Sequence, residues 1–199
     1  MFVTSAVTRQ VMRLKLGEAD KIRIGNVNAF RDWSHVSDAI EAYLLLADKG
    51  RSGDVYNQGS MRTNSVMSYI LLSLEAAGYP VEMIETFRGE KVVVDPTEPD
   101  EAEIFGSKFS KTKLDGIMLR GEVEYLLEDG GVVARSGSDR VMIEFDPERF
   151  RPAEVPILLS DTAKIKRLGF DPKFSFGDII EDQLNYYLSE AERKGSVEG

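Results

Sequence analysis

Apolar residues recur at helical spacing from the start of the chain. Val3, Val7, Val11 and Leu14, with Leu16 continuing the stripe, predict a helix that Gly17 stops. Lys21-Ile22-Arg23-Ile24 alternates and predicts a short strand ended by Gly25-Asn26. Arg31 to Val36 reads as extended or irregular. Ser37 or Asp38 is then placed to cap a helix over 39–49, with Ile40, Tyr43, Leu44 and Ala47 on its buried face. Asp54 to Gly59 predicts a strand running into a glycine turn. Asn64 or Ser65 caps the next helix, whose apolar face is Val66, Met67, Ile70, Leu71 and Leu74 and whose end is Gly78.

The second half is less regular. Val81 to Ile84 and Lys91 to Val94 predict short strands, and the acidic, proline-containing stretch Pro96 to Glu103 a loop or linker. Leu114, Ile117, Met118 and Tyr125 have helical spacing, but Gly116 and Gly121 count against a helix. Val132–Arg135 and Arg140–Phe145, separated by Ser136-Gly137-Ser138-Asp139, predict a β-hairpin. Val155 to Leu159 predicts a strand, and Asp161 caps a short helix through Leu168. Ser175, with Asp178 three residues on, opens a last helix that buries Ile180, Leu184, Tyr187 and Leu188. Strands alternate with helices, so the class is α/β, or α+β for a fragment, with a hairpin-containing insertion around 107–146.

Composition narrows the chemistry. The 199 residues suffice for a core. Without Cys there is no disulfide, thiolate metal site or thiol nucleophile, and one His excludes multi-His metal sites. A net charge of −9 argues against sequence-independent nucleic-acid binding, so an anionic ligand must be met by a few placed Arg residues. No targeting segment or membrane span is evident, which makes a soluble cytoplasmic protein the expectation.

Two clusters stand out. Asn26 to Asp38 gathers Arg31, Asp32, the sole Trp33 and the sole His35 between a strand and a helix cap. Phe150-Arg151-Pro152-Ala153-Glu154 sets an Arg and an acid on either side of a backbone fixed by proline. Each fits an anion-binding junction. Each also has a plain structural reading: packed Trp33 and His35 with Arg31 paired to an acid, and an Arg151–Glu154 surface ion pair.

In this order the clusters resemble the extended short-chain dehydrogenase/reductases acting on nucleotide sugars, in particular the GDP-mannose 4,6-dehydratase branch. Phe2-Val3-Thr4, Gly25-Asn26 and Arg31-Asp32-Trp33-Ser34-His35-Val36-Ser37-Asp38 are similar to that family's F-V-T, L-G-N and R-D-W-x-H-x-x-D stretches. Val55-Tyr56-Asn57-Gln58-Gly59-Ser60 is similar to its V-Y-N-x-G-S/T strand and turn. Arg151-Pro152-Ala153-Glu154-Val155 is similar to its R-P-x-E-V element, and Asp161 to Lys164 with Leu168 to Lys173 to its closing stretch. The likeness covers roughly 1–78 and 140–190.

The resemblance implies that Arg31 contacts the substrate diphosphate, that Arg151 and Glu154 hold phosphate and ribose, and that Asn26 is a further substrate-binding candidate. His35 and Asp38 are expected to be structural, with Asp38 capping the following helix. A substrate-contacting Lys of the family's first helix is Ala6 here. The family's dinucleotide glycine motif, its Y-x-x-x-K pair and its catalytic Ser/Thr and Glu have no counterpart in the sequence. The expectation is therefore a C-terminal portion of an enzyme that uses NAD or NADP to oxidise the sugar at C4, eliminate water across C5–C6 and return the hydride. Residues 1–78 would be the tail of a Rossmann-type domain plus substrate-binding elements, 79–146 a variable insertion, and 147–199 a C-terminal substrate-binding segment.

Alone, such a chain is expected to bind no dinucleotide or metal and to lack catalytic residues. Its expected partners are a nucleotide sugar, with GDP-mannose favoured, and further copies of itself or a separate Rossmann half. No nucleic acid or membrane is expected. The competing readings are a portion of a UDP-sugar 4-epimerase and a non-catalytic nucleotide-sugar binding module.

Overall fold

The computed structural model describes residues 2–104, 109–150 and 154–195. The helices are α1 (Val3–Lys15), α2 (Val36–Lys49), α3 (Val66–Ala76), α4 (Lys113–Leu119), α5 (Ala163–Lys166) and α6 (Phe176–Gly195). The strands are β1 (Lys21–Ile24), β2 (Phe30–Asp32), β3 (Thr63–Ser65), β4 (Met83–Thr86), β5 (Val92–Val94), β6 (Pro99–Asp100), β7 (Lys111–Thr112), β8 (Gly131–Ser136) and β9 (Asp139–Phe145).

The main sheet runs β1-β9-β8-β4-β5. Only β1 and β9 pair in parallel, from Lys21 opposite Met142 to Ile24 opposite Phe145. The predicted hairpin forms and is extended to a Ser136–Asp139 pair, with Gly137 supplying a positive φ of 56° at the turn. This hairpin is the middle of the sheet: β4, β5, β8 and β9 all come from 79–146. One core cluster joins the three sequence segments, with Ile22, Ile84, Val132 and Ile143 from the sheet, Val7 and Val11 from α1, Tyr69, Ile70 and Leu74 from α3, and Ile180 and Leu184 from α6. Burial of such side chains stabilises by roughly 1.5–3 kcal/mol each against full exposure.

The free side of β1 is closed by a side chain. Gln10 on α1 accepts from the Arg23 N–H at 2.8 Å and donates to the Arg23 carbonyl at 3.1 Å. Two short ribbons, β2–β3 and β6–β7, lie outside the main sheet.

Four expectations are corrected. Asp54 to Gly59 forms no strand and pairs with no described strand, and Val55 is 80% exposed. It is held by side chains instead: Lys164 Nζ donates to the Val55 carbonyl at 2.9 Å and stands over the Tyr56 ring. Val155 to Leu159 forms no strand but a single bridge, Ile157 to Phe30. Helix α2 starts at Val36 and is capped by His35, whose Nδ1 accepts from the Ser37 N–H at 3.1 Å. Its predicted buried face is exposed: Ile40, Tyr43 and Leu44 face outwards, with Tyr43 67% exposed. Ala42, Leu45 and Leu46 pack instead on Ile165, Phe170 and Tyr56.

Asp38 is buried, but it is no cap. Its carboxylate accepts from the Lys173 and Phe174 amides at 3.0 and 3.3 Å, tying α2 to the lead-in of α6. The expected capping box of α6 does form, with Ser175 N–H donating to Asp178 and Asp178 N–H to Ser175 Oγ. In α4, Gly116 is tolerated because it packs tightly: a Cβ there would lie 2.0 Å from the Asp100 carboxylate. No helix among the described residues is long and apolar enough to cross a membrane.

Candidate functional site

Arg31 is central to β2. Its strand pairs with β3, placing Arg31 opposite Asn64, while Phe30 exchanges backbone hydrogen bonds with the 156–158 segment. These pairings bring 154–158 alongside β2. Arg31 Nη2 then meets Glu154 Oε1 at 2.8 Å, and Nη1 donates to the carbonyls of Val155 and Phe30 at 2.7 and 2.8 Å. Both charged side chains are about three-quarters buried, 23% and 22% exposed. Two of the sequence-predicted site residues are thus in direct contact. The ion pair that forms is Arg31–Glu154, not Arg31 with its neighbour Asp32.

Asp32 points the other way and organises the floor. Its carboxylate accepts from Ser60 N–H at 2.8 Å, Ser60 Oγ at 2.7 Å, Met61 N–H at 3.2 Å and Ser160 N–H at 3.1 Å. Three segments, β2, the 59–61 turn and Ser160, therefore meet at one carboxylate. Gly59 is required by this convergence, since a Cβ would lie 2.4 Å from Ser160 Oγ and 2.6 Å from Asp32. Met61 adopts a φ of 57°, a strained conformation for a side chain of this kind, and its N–H is one of the four donors.

The other candidates separate. Asn26 is partly buried, and its Oδ1 accepts from the Asn28 N–H at 2.9 Å, so it shapes a local turn. Arg151 lies outside the described residues. Trp33 is a core residue, stacked on Tyr69 at 4.8 Å and donating from Nε1 to the Asn64 carbonyl. His35 stacks on Phe174 at 3.9 Å as it caps α2. His35 therefore carries the structural role expected of it, and Trp33 follows the plain structural reading of its cluster.

A second polar centre escaped the sequence reading. Asp115 is fully buried and accepts from Asn64 Nδ2, Ser65 N–H, Ser68 Oγ and Thr112 N–H, all within 3.2 Å. It closes a capping box at the start of α4 while holding the start of α3. The signal was present as Thr112-x-x-Asp115, but it stands among 34 acidic residues.

Among the described residues, the starts of α2 and α3 offer no dinucleotide cradle. The start of α3 has no glycine turn, and its first turn is buried, with the Ser68 N–H taken by Ser65 Oγ. At α2 the Ser37 N–H is taken by His35. A cradle needs free first-turn amides that a pyrophosphate can approach. No group of three or more potential metal-ligating His, Asp or Glu residues occurs among the described residues.

The GDP-mannose 4,6-dehydratase of Sinorhizobium fredii (strain HH103) is 25% identical over 189 residues, which is 94% of this chain and 42% of that protein. The Drosophila melanogaster GDP-mannose 4,6 dehydratase is 25% identical over 184 residues, 92% of this chain and 36% of its own. The chain therefore spans well under half the length of these relatives. Among solved structures, RMD from Pseudomonas aeruginosa complexed with NADPH superposes with a TM-score of 0.60 at 20% identity, over 95% of this chain and 43% of that one. UDP-glucose 4-epimerase from Bifidobacterium longum, in complex with NAD+ and UDP, gives 0.53 at 16% identity, over 92% and 39%. These two likenesses show a shared fold. The family model described as GDP-mannose 4,6 dehydratase matches residues 1–115, more than half the chain and including β2 with Arg31, and the protein belongs to that family.

Proposed function

We propose that this chain is the substrate-binding portion of an NAD(P)-dependent nucleotide-sugar 4,6-dehydratase of the GDP-mannose type, inactive without a dinucleotide-binding portion. The observation that carries this is the Arg31–Glu154 pair. A partly exposed guanidinium and a carboxylate, on segments 123 residues apart, are brought together beside the β2 strand. A guanidinium fork suits a diphosphate, and a carboxylate accepts from ribose hydroxyls. Arg151, three residues before Glu154, would add a second guanidinium.

The hydride chemistry of such an enzyme is supplied by its nicotinamide cofactor, and we assign no step of it to this chain. The chain's own part is to hold the nucleotide. The reading is supported by what α2 and the 54–59 segment leave uncovered. Val36, Ile40, Tyr43 and Leu44 make an exposed apolar stripe on α2, and the neighbouring Asp54–Gly59 stretch has no described pairing strand. An unpaired segment and a helix with an apolar outer stripe both fit a further sheet, such as the Rossmann portion of the relatives.

Calorimetry of the purified chain with GDP tests the site. GDP binds the wild type, and Arg31→Ala weakens it by about tenfold or more, the scale of a lost charge-assisted contact. Unchanged affinity in Arg31→Ala removes the site, and turnover of GDP-mannose by the chain alone removes the claim of inactivity.

A further inference from the structure

A cavity of about 680 Å³, lined by neither Arg31 nor Glu154, lies between residues 97–101 and 109–112, α3 and the first turn of α6. Leu72, Pro99, Phe109 and Phe176 give it apolar walls, and Asn64 and Lys111 also line it. Its volume is that of a small-molecule site.

Lys111 is the unusual member. It is only 4% exposed, yet no carboxylate among the described residues lies within ion-pair distance of its ammonium. Its Nζ donates to the carbonyls of Asp100 (3.0 Å) and Ala102 and stands 5.1 Å from the centre of the Phe109 ring. An ammonium has three N–H donors, so one has no partner among the described residues, and a buried cation without a counter-charge is costly. The nearby Asp100 carboxylate is committed elsewhere, to the Ala102 N–H and to Arg120 at 3.7 Å. Glu101, which also lines the cavity, is exposed to solvent.

Two further features meet at the same cavity. Asn64 is 1% exposed, and its Nδ2 is fixed by two acceptors, the Ser110 carbonyl and Asp115. That leaves Asn64 Oδ1 buried with no donor among the described residues. On the other wall, the 20-residue helix α6 begins. The Asp178 and Ile179 amides are taken by Ser175, which leaves those of Phe176 and Gly177 as the first-turn donors.

We propose that this cavity binds a small organic acid with an apolar body. The acid group pairs with Lys111 and with the positive end of α6, the body lies against Phe109, Phe176 and Leu72, and a hydroxyl on the ligand satisfies Asn64 Oδ1. The acid group completes the buried ammonium, and the hydroxyl gives Asn64 its missing donor.

The test uses the whole chain and three probes: cyclohexanecarboxylate, its neutral amide, and trans-4-hydroxycyclohexanecarboxylate. Trp33 is the only tryptophan and sits 5.7 Å from the Phe176 ring, so its emission reports on the cavity beside calorimetry. The expected result is saturable binding of the acid, binding of the amide about tenfold weaker, and a further gain from the hydroxyl. Lys111→Met brings the acid down to the amide's affinity. Leu72→Trp, which fills the cavity and keeps Lys111, removes calorimetric binding of all three. Absence of saturable acid binding to the wild type, equal affinity for acid and amide, or undiminished binding by Leu72→Trp each overturns the proposal. The acid–amide comparison on wild type stands even where Lys111→Met fails to fold.

Discussion

Arg31 Nη2 and Glu154 Oε1 lie 2.8 Å apart, although 123 residues separate them in the chain. Three of the five guanidinium N–H groups of Arg31 are thus engaged, one by Glu154 and two by the Phe30 and Val155 carbonyls. A diphosphate that takes the outer fork of Arg31 must compete with the carboxylate already on it. Glu154→Gln removes the competing charge and keeps an oxygen that accepts from a ribose hydroxyl. It is expected to bind GDP about threefold to tenfold more tightly than wild type in calorimetry. Weaker binding would make Glu154 a net contributor to ligand affinity and not a competitor.

Asp115 carries a different burden. Four donors converge on a carboxylate that water does not reach. Asp115→Ala strands Ser65 N–H and Thr112 N–H, two capping amides, and removes one partner each from the Asn64 and Ser68 side chains. The expected cost is about 3–5 kcal/mol, or a fall of roughly 10 °C in Tm for a domain of this size. Chemical denaturation of the variant against wild type measures it. A loss below about 1 kcal/mol would mean that the start of α4 does not brace α3.

What the sequence disclosed and what it withheld follow from the range of the forces. Helices α1, α3 and α6 were legible because their period and caps are local: Val7 and Val11 are fully buried, Ser65 caps α3, and Ser175 with Asp178 caps α6. The α2 face was misjudged for the same reason. Ile40, Tyr43 and Leu44 have core-like spacing, but spacing does not say whether anything is present to cover them. The 54–59 strand failed because a ladder needs a neighbour. In the site, Arg31 and Glu154 were found through motifs, while their contact was not, since it depends on how β2 and the 154–158 segment are laid side by side. Asp38 was read as a cap from its position, whereas its partners, the Lys173 and Phe174 amides, are far along the chain.

Lys91 and Asp129 give a pH-dependent effect whose sign can be worked out. Burial pushes the Asp129 carboxyl up, but hydrogen bonds from Lys91 and the Leu126 N–H, with the charges of Lys91 and Arg88, outweigh it and hold it below the usual carboxylate range. Lys91 Nζ lies 2.6 Å from Asp129 Oδ2 and also donates to the Glu124 carbonyl. A carboxyl whose folded pKa is depressed contributes stability above its unfolded value, and that contribution fades as pH falls through the folded one. Lys91→Met is therefore expected to cost about 1–2 kcal/mol at neutral pH. The gap to wild type narrows as pH drops from about 4 through the acid range. Urea denaturation of both proteins across that range checks it, and a gap that widens on acidification would reverse the assignment.

The contact between Gln10 and Arg23 has a consequence for how molecules of this protein can add to one another. A side-chain amide that both gives and receives a hydrogen bond imitates one residue of an adjoining strand, and so terminates the ladder at β1. The opposite margin, Val92-Val93-Val94, has no such terminator among the described residues. The sheet is in effect a one-ended template. Any growth by strand addition, productive or pathological, is polar: it starts at the valine margin and cannot start at the glutamine one.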